Sequence, residues 1–133
     1  MPKATGPSKR ELAALMHRAK AAGMAAGRAA VPPTMIVRRH TDPLNDGSPV
    51  AEEWVVPEGP CGFSWVTVRP GNSRAARVMA ETLGARINSY EGGMMLWVGE
   101  FNQSMVRKEA FAHAFAETLR AEGIRAFAGS RMD

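Results

Sequence analysis

Residues 61–101, CGFSWVTVRPGNSRAARVMAETLGARINSYEGGMMLWVGEF, decide the fold. Phe63–Arg69 alternates side chains with the two-residue period of a strand. Past Pro70-Gly71, Asn72–Leu83 places Val78, Met79, Thr82 and Leu83 on one side of a helix, and Gly84 supplies its C-terminal stop. Ala85–Tyr90 and Met94–Phe101 read as two strands joined at Glu91-Gly92-Gly93, a hairpin signal. Downstream, Ser104 caps a helix running to Glu122 with Phe111, Phe115 and Leu119 as its buried stripe. Gly123 ends that helix, and Ile124–Ala128 is a last strand. The order β-α-β-β-α-β predicts a ferredoxin-like α+β core over 61–133: a four-stranded antiparallel sheet with two helices on one face.

Upstream, residues 1–60 form an extension, an N-terminal helix followed by an acidic loop, within one compact domain. Ser8 and Glu11 fit a capping box, so a helix is expected from about Ser8 to Ala30. Leu12, Leu15, Met16, Ala19, Gly23 and Gly27 share one face at helical spacing, with Arg10, His17 and Arg28 opposite. Each glycine costs about 1 kcal/mol of helix propensity, so the Ala19-Gly23-Gly27 stripe implies close backbone approach to a packing partner. Pro32-Pro33 ends the helix. Thr34–Arg39 reads as a short strand, and His40–Pro60 as a turn-rich loop anchored by Trp54-Val55-Val56.

The composition, 45% hydrophobic and 23% charged over 133 residues, is that of an ordinary folded domain and excludes disordered and collagen-like chains. A lone Cys61 forms no internal disulfide, which suits a reducing compartment. No apolar run reaches the length of a signal peptide core or a membrane span, so no membrane partner is expected. The net charge of +4 is unevenly spread. Lys3, Lys9, Arg10, Arg18, Lys20, Arg28, Arg38 and Arg39 face only Glu11 within residues 1–40, whereas 41–60 carries Asp42, Asp46, Glu52, Glu53 and Glu58 and no Lys or Arg. The basic arm and acidic loop can simply pair with each other.

Two surfaces merit a functional reading. With the first and third core strands taken as central and parallel, the loops that start the two core helices share one sheet edge. That edge would gather Arg69, Asn72, Ser73 and Arg74 with Asn102, Gln103, Ser104 and Arg107. Helix N-termini and arginines together favour an anion such as phosphate; the plainer reading is that Asn72, Ser73 and Ser104 are ordinary caps. The opposite edge would gather Tyr90–Gly93 and the chain end Ser130–Asp133. Strand alternation also sorts the sheet into a small-aliphatic face (Ser64, Val66, Val68, Met94, Leu96, Val98, Ile124, Ala126, Ala128) and an aromatic one. The aromatic face holds Phe63, Trp65, Met95, Trp97, Phe101 and Phe127, with Arg125. RNA-recognition modules of this topology stack bases on that face, although MMLWVGEF does not fit their consensus. Bare aromatic surface is unusual on a monomer, so residues 8–56 are expected to cover it, with a homodimer through this face as another option.

An enzyme acting on a phosphorylated small molecule at the helix-start edge is a third reading, and the lack of an obvious acid–base pair counts against it. His17, His40 and His113 match no ligand spacing, and Asp42, Asp46, Gly47 and Glu53 match a calcium loop only superficially because Leu44, Pro43 and Pro49 interrupt it. Phosphate-loop, dinucleotide and nucleophile-elbow motifs are absent, and no cofactor is implied.

The segments AAGMAAGRAAVPPTMIV, CGFSWVTVRPGNS, FNQSMVRKEAFAHAFAETL and GIRAFAGSRMD resemble a family of small uncharacterised proteins encoded by tailed bacteriophages and prophages. The likeness runs from about residue 20 to the C-terminus. It implies a phage origin and a place in the bacterial host cytoplasm or the virion, and no activity or site residue. Two functions follow as expectations. One is an accessory nucleic-acid-binding protein using Arg10, His17, Arg28, Arg38, Arg39 and the helix-start arginines, with salt-sensitive affinity. The other is a protein-binding module, a host-directed inhibitor or small virion component, using the aromatic face or the first helix.

Overall fold

A computed structural model describes residues 6–133; Lys3, counted in the basic arm, lies outside the described residues. Helix α1 spans Lys9–Ala29, with the Glu11 amide donating to Ser8 Oγ at 3.1 Å as its N-cap. The stripe Leu12, Leu15, Met16, Ala19, Gly23 and Gly27 is buried along its whole length. Both glycines are forced by aromatic neighbours: a Cβ on Gly23 would lie 2.9 Å from the Phe111 ring, and one on Gly27 would overlap Phe101.

After Pro32-Pro33 come strands β1 (Met35–His40) and β2 (Val50–Val56), paired antiparallel in a sheet of their own. β2 lies in the stretch that the sequence presents as loop. Arg38 Nε donates to Glu53 Oε2 at 2.7 Å and Arg39 Nη2 to Glu52 Oε1 at 2.6 Å, so the basic arm and acidic loop do pair across this ribbon. Trp54 is no anchor: it stays 47% exposed on the ribbon surface.

The rest of the chain forms β3 (Gly62–Arg69), α2 (Arg74–Leu83), β4 (Arg86–Ile87), β5 (Met94–Trp97), α3 (Met105–Arg120) and β6 (Arg125–Met132). Ser73 and Ser104 cap α2 and α3, and Gly84 closes α2 in the left-handed conformation at φ 79°. The four strands make one antiparallel sheet in the order β4-β5-β3-β6. The described residues therefore form a mixed α+β fold with three helices and two antiparallel sheets.

β3 and β5 are neighbours and antiparallel, with Trp65 opposite Trp97 and Val68 opposite Met94. This corrects the expected parallel pair. A crossover through α2 leaves β3 and β4 parallel, and the tight turn between β4 and β5 then reverses the chain. Consequently α2 and α3 start at opposite sheet edges. The turn at Tyr90–Gly93 lies beside the α2 start, where Arg69 Nη2 donates to the Glu91 carbonyl at 3.4 Å. The chain end lies at the other edge, where the Asp133 amide donates to the Cys61 carbonyl.

Val66, Val68, Met94 and Ala126 from the sheet, Ala76, Val78 and Met79 from α2, and Phe111, Phe115 and Leu119 from α3 share one core with Leu12, Leu15, Met16 and Ala19 of α1. α1 packs on α3 and, less extensively, on α2. It does not cover the aromatic face of the sheet, because its apolar stripe is consumed by the helices on the other side. The expected cover of the aromatic face by residues 8–56 is thus absent in both parts, since among the described residues the ribbon packs broadly on neither sheet nor helix.

Candidate functional site

The face of the four-stranded sheet turned away from the helices carries Phe63, Trp65, Thr67 and Arg69 from β3. Cross-strand partners complete it: Trp97 and Met95 on β5, Arg86 on β4, and Arg131, Gly129, Phe127 and Arg125 on β6. Alternation places them all on one side, since residues two apart share a face. Trp97 is 50% and Phe127 46% exposed.

The aromatic rings hold one another in place. Trp65 and Trp97 lie with centroids 5.2 Å apart at 51°, and Phe63 meets Trp97 edge-on at 6.0 Å. Gly129 is required here: a Cβ would stand 2.5 Å from Trp65 Nε1, so the indole lies across the β6 backbone along the sheet surface. Trp65, Thr67, Arg69, Glu91, Phe127 and Gly129 line a shallow groove of about 320 Å³ on this surface.

Arginines ring the aromatics. The Arg131 guanidinium sits 5.4 Å from the centroid of Phe63, within cation–π range. Arg69 and Arg125 are directly opposite across the β3–β6 ladder, a placement in which like charges repel. Among the described residues, Arg69, Arg86, Arg125 and Arg131 make no ion pair, whereas the ribbon arginines and Arg107 do. From Arg125 to Arg131 the face runs about 20 Å, at roughly 3.4 Å per residue.

Phe101, assigned to this face by alternation, is elsewhere. The chain leaves β5 after Trp97, and Phe101 and Asn102 adopt positive φ of 66° and 50°. The Phe101 ring thereby turns to the helix side, against Phe111 at 6.4 Å and over Gly27.

The helix-start cluster splits in two. At the α2 edge, Asn72 is exposed, Ser73 Oγ accepts the Ala76 amide, and Arg74 Nη1 donates to the Pro7 carbonyl at 3.1 Å, tying down the start of α1. At the α3 edge, Arg28, Glu58, Phe101, Asn102, Gln103 and Arg107 help line a pocket of about 470 Å³. Ser104 Oγ accepts the Arg107 amide, and the Gln103 carbonyl accepts the Gly62 amide. Arg107 is fully engaged: Nε donates to Glu58 Oε2 at 2.8 Å, and Nη1 donates to the Gly27 and Arg28 carbonyls at 2.9 and 3.1 Å. It closes the C-terminus of α1, where orphan carbonyls favour a cation.

The basic arm is divided as well. Arg38 and Arg39 are neutralised on the ribbon, while Arg10, His17 and Arg28 are exposed on α1, separated from the open sheet face by α2 and α3. No three His, Cys, Asp or Glu side chains gather as a metal-binding set among the described residues, and no described helix is long and apolar enough to cross a membrane.

Arg86, Gly129 and the facial position of Arg131 are the contributors the sequence reading missed. Continuing the β6 alternation past Ala128, through Gly129 to Arg131, would have found two of them. No protein-family model, curated protein or solved structure matches the chain.

Proposed function

We propose that this is an accessory nucleic-acid-binding protein that holds a few unpaired bases of a single strand on the open sheet face. The observation that carries this reading is the juxtaposition of the Trp65–Trp97 pair with the opposed Arg69 and Arg125, which lack a carboxylate partner among the described residues. Two like charges across a ladder are unfavourable alone and become favourable with a phosphate between them. Aromatic faces stack on any base and contribute about 1–3 kcal/mol per base, independent of sequence. A gently twisted sheet reaches base faces only in an unpaired strand, so duplex is the poorer ligand.

The core order β-α-β-β-α-β with strand order β4-β5-β3-β6 supports reading residues 61–133 as a ferredoxin-like module of the kind that binds RNA through this face. The resemblance to small phage and prophage proteins adds a setting: a phage accessory protein acting in the host cytoplasm. The helix-start anion site is not part of the proposal, because Arg107 and Arg74 are spent on α1.

Fluorescence anisotropy of a labelled oligothymidylate tests it. Expected are saturable binding, weaker binding to a duplex of equal length, and a log–log salt slope near 0.7 per phosphate contacted. Affinity should fall in Trp65→Ala and Trp97→Ala proteins that still unfold in a cooperative melting transition. Equal affinity for duplex and single strand, or indifference to both substitutions, would overturn the reading.

A further inference from the structure

The β1–β2 ribbon raises a separate question. A two-stranded ribbon alone is marginal in water, and three strands or a packed face are normally needed to hold one. Yet Ile36, Val50, Trp54 and Val55 of this ribbon are each 46–58% exposed. Register puts Met35, Val37, Trp54 and Val56 on one side of it, a short apolar stripe of two cross-strand pairs with Trp54 half exposed beside the Arg39–Glu52 pair, while Ile36 and Val55 lie on the other side.

Charge narrows what could cover that stripe. The two ribbon arginines are already bound to Glu52 and Glu53, and Glu58 at its base is bound to Arg107. Asp42 and Asp46 at the tip have no cation partner among the described residues, so the ribbon presents a net acidic, apolar surface. Nucleic acid is thereby a poor occupant. The same molecule carries the complement: an aromatic sheet face bordered by Arg69, Arg86, Arg125 and Arg131. The lengths agree too. The seven residues of β2 extend about 20 Å, as does the face from Arg125 to Arg131.

We infer that the ribbon is a self-association arm, and that its Trp54 side docks on the open sheet face of a second copy of this chain. Reciprocal exchange gives a two-fold dimer in which each copy donates an arm and receives one. Trp54 inserts among Trp65, Trp97 and Phe127, and the acidic tip meets the arginine border. This rests on the open face being a binding surface, as the nucleic-acid reading does, and adds its regulation: the arm and a single strand compete for one site, so oligonucleotide binding releases the dimer.

Sedimentation velocity of the full chain over a range of concentration tests the arm without reference to nucleic acid. A monomer–dimer equilibrium is expected, weakened about tenfold or more by Trp54→Thr on the arm and by Trp65→Ala on the face. Trp54 is half exposed and Trp65 half-buried on the open face, and a cooperative melting transition establishes that each variant folds. The distinguishing arm of the experiment mixes the two variants. The Trp65→Ala chain has an intact arm and the Trp54→Thr chain an intact face, so the mixture restores one native contact and associates more strongly than either variant alone. A chain that stays monomeric at every concentration overturns the inference, as does a dimer that either variant leaves unchanged or a mixture no tighter than its components. Added oligothymidylate then reads the competition: dissociation of the dimer supports it. Failure of the oligonucleotide to bind removes the nucleic-acid reading while the sedimentation result on the arm still stands.

Discussion

The two faces of the four-stranded sheet share a backbone and differ in everything else. The helix side is made of small and medium side chains, with Val66, Val68 and Ala126 fully buried under Phe111, Phe115 and Met79. The other side carries the large aromatics and the arginines, with Phe63 and Trp65 partly buried and Trp97 and Phe127 half exposed. A core made for stability would place its largest apolar groups inside, since full burial of such a side chain stabilises by about 1.5–3 kcal/mol. Here tryptophans stand outside while alanines are buried. The lesson is that the size of a residue and its energetic role are decoupled on this sheet: the small face holds the fold, and the large face leaves Trp97 and Phe127 half exposed.

That contrast can be broken by mutation. The largest effect is expected from Phe115→Ala, which opens a cavity in the shared core and should cost about 3–5 kcal/mol in urea denaturation. Trp97→Ala on the opposite face should cost about 1 kcal/mol, mainly the lost contacts with Trp65 and Phe63. Comparable losses for the two would mean that the open face is a core in its own right. Next, Gly23→Leu drives a side chain into the Phe111 ring and should destabilise by about 1–3 kcal/mol, seen as a lowered Tm. An unchanged Tm would detach α1 from α3.

Two arginine substitutions sharpen the comparison at the level of charge. Arg107→Ala strands Glu58 and the last carbonyls of α1, at a cost of about 1.5–3 kcal/mol, with no change in oligonucleotide affinity. Arg125→Gln should do the reverse. Relieving repulsion with Arg69 should leave stability unchanged or raised by a few tenths of a kcal/mol, while the salt slope of oligonucleotide binding becomes shallower by about one phosphate contact. If instead Arg107 controls affinity and Arg125 does not, the binding surface belongs at the α3 start.

The helices were legible in the sequence because their signals are local and repeated. Ser8 with Glu11, the Leu12–Gly27 stripe and Gly84 each fix a boundary or a face through neighbours within a turn or two. The order of core elements along the chain, β-α-β-β-α-β from β3 to β6, followed from the alternation of helix and strand. What failed was longer in range. β2 escaped because Val50–Val56 carries two adjacent glutamates between prolines, and its pairing depends on Arg38 and Arg39 across the ribbon rather than on its own pattern. Phe101 escaped because its turn from the sheet depends on positive φ at two residues that are not glycine, which residue type does not announce.

The candidate site was half visible. Alternation correctly grouped Phe63, Trp65, Trp97 and Phe127, and the open face is where they lie. The expectation that α1 covers them failed because an apolar stripe in a sequence does not name its partner, and Phe111 and Phe115 of α3 provided one first. The helix-start cluster failed for a topological reason, the antiparallel β3–β5 pair, which separates Arg69 from Arg107 by the length of the sheet.

The most direct measurement of the central claim is tryptophan fluorescence of the Trp54→Phe protein, in which only Trp65 and Trp97 remain to emit. Stacking of bases on the open face should quench that emission saturably as oligothymidylate is added, with the midpoint moving to higher concentration as salt is raised. Emission that stays constant through the titration at low salt would contradict the claim that this face takes up unpaired bases.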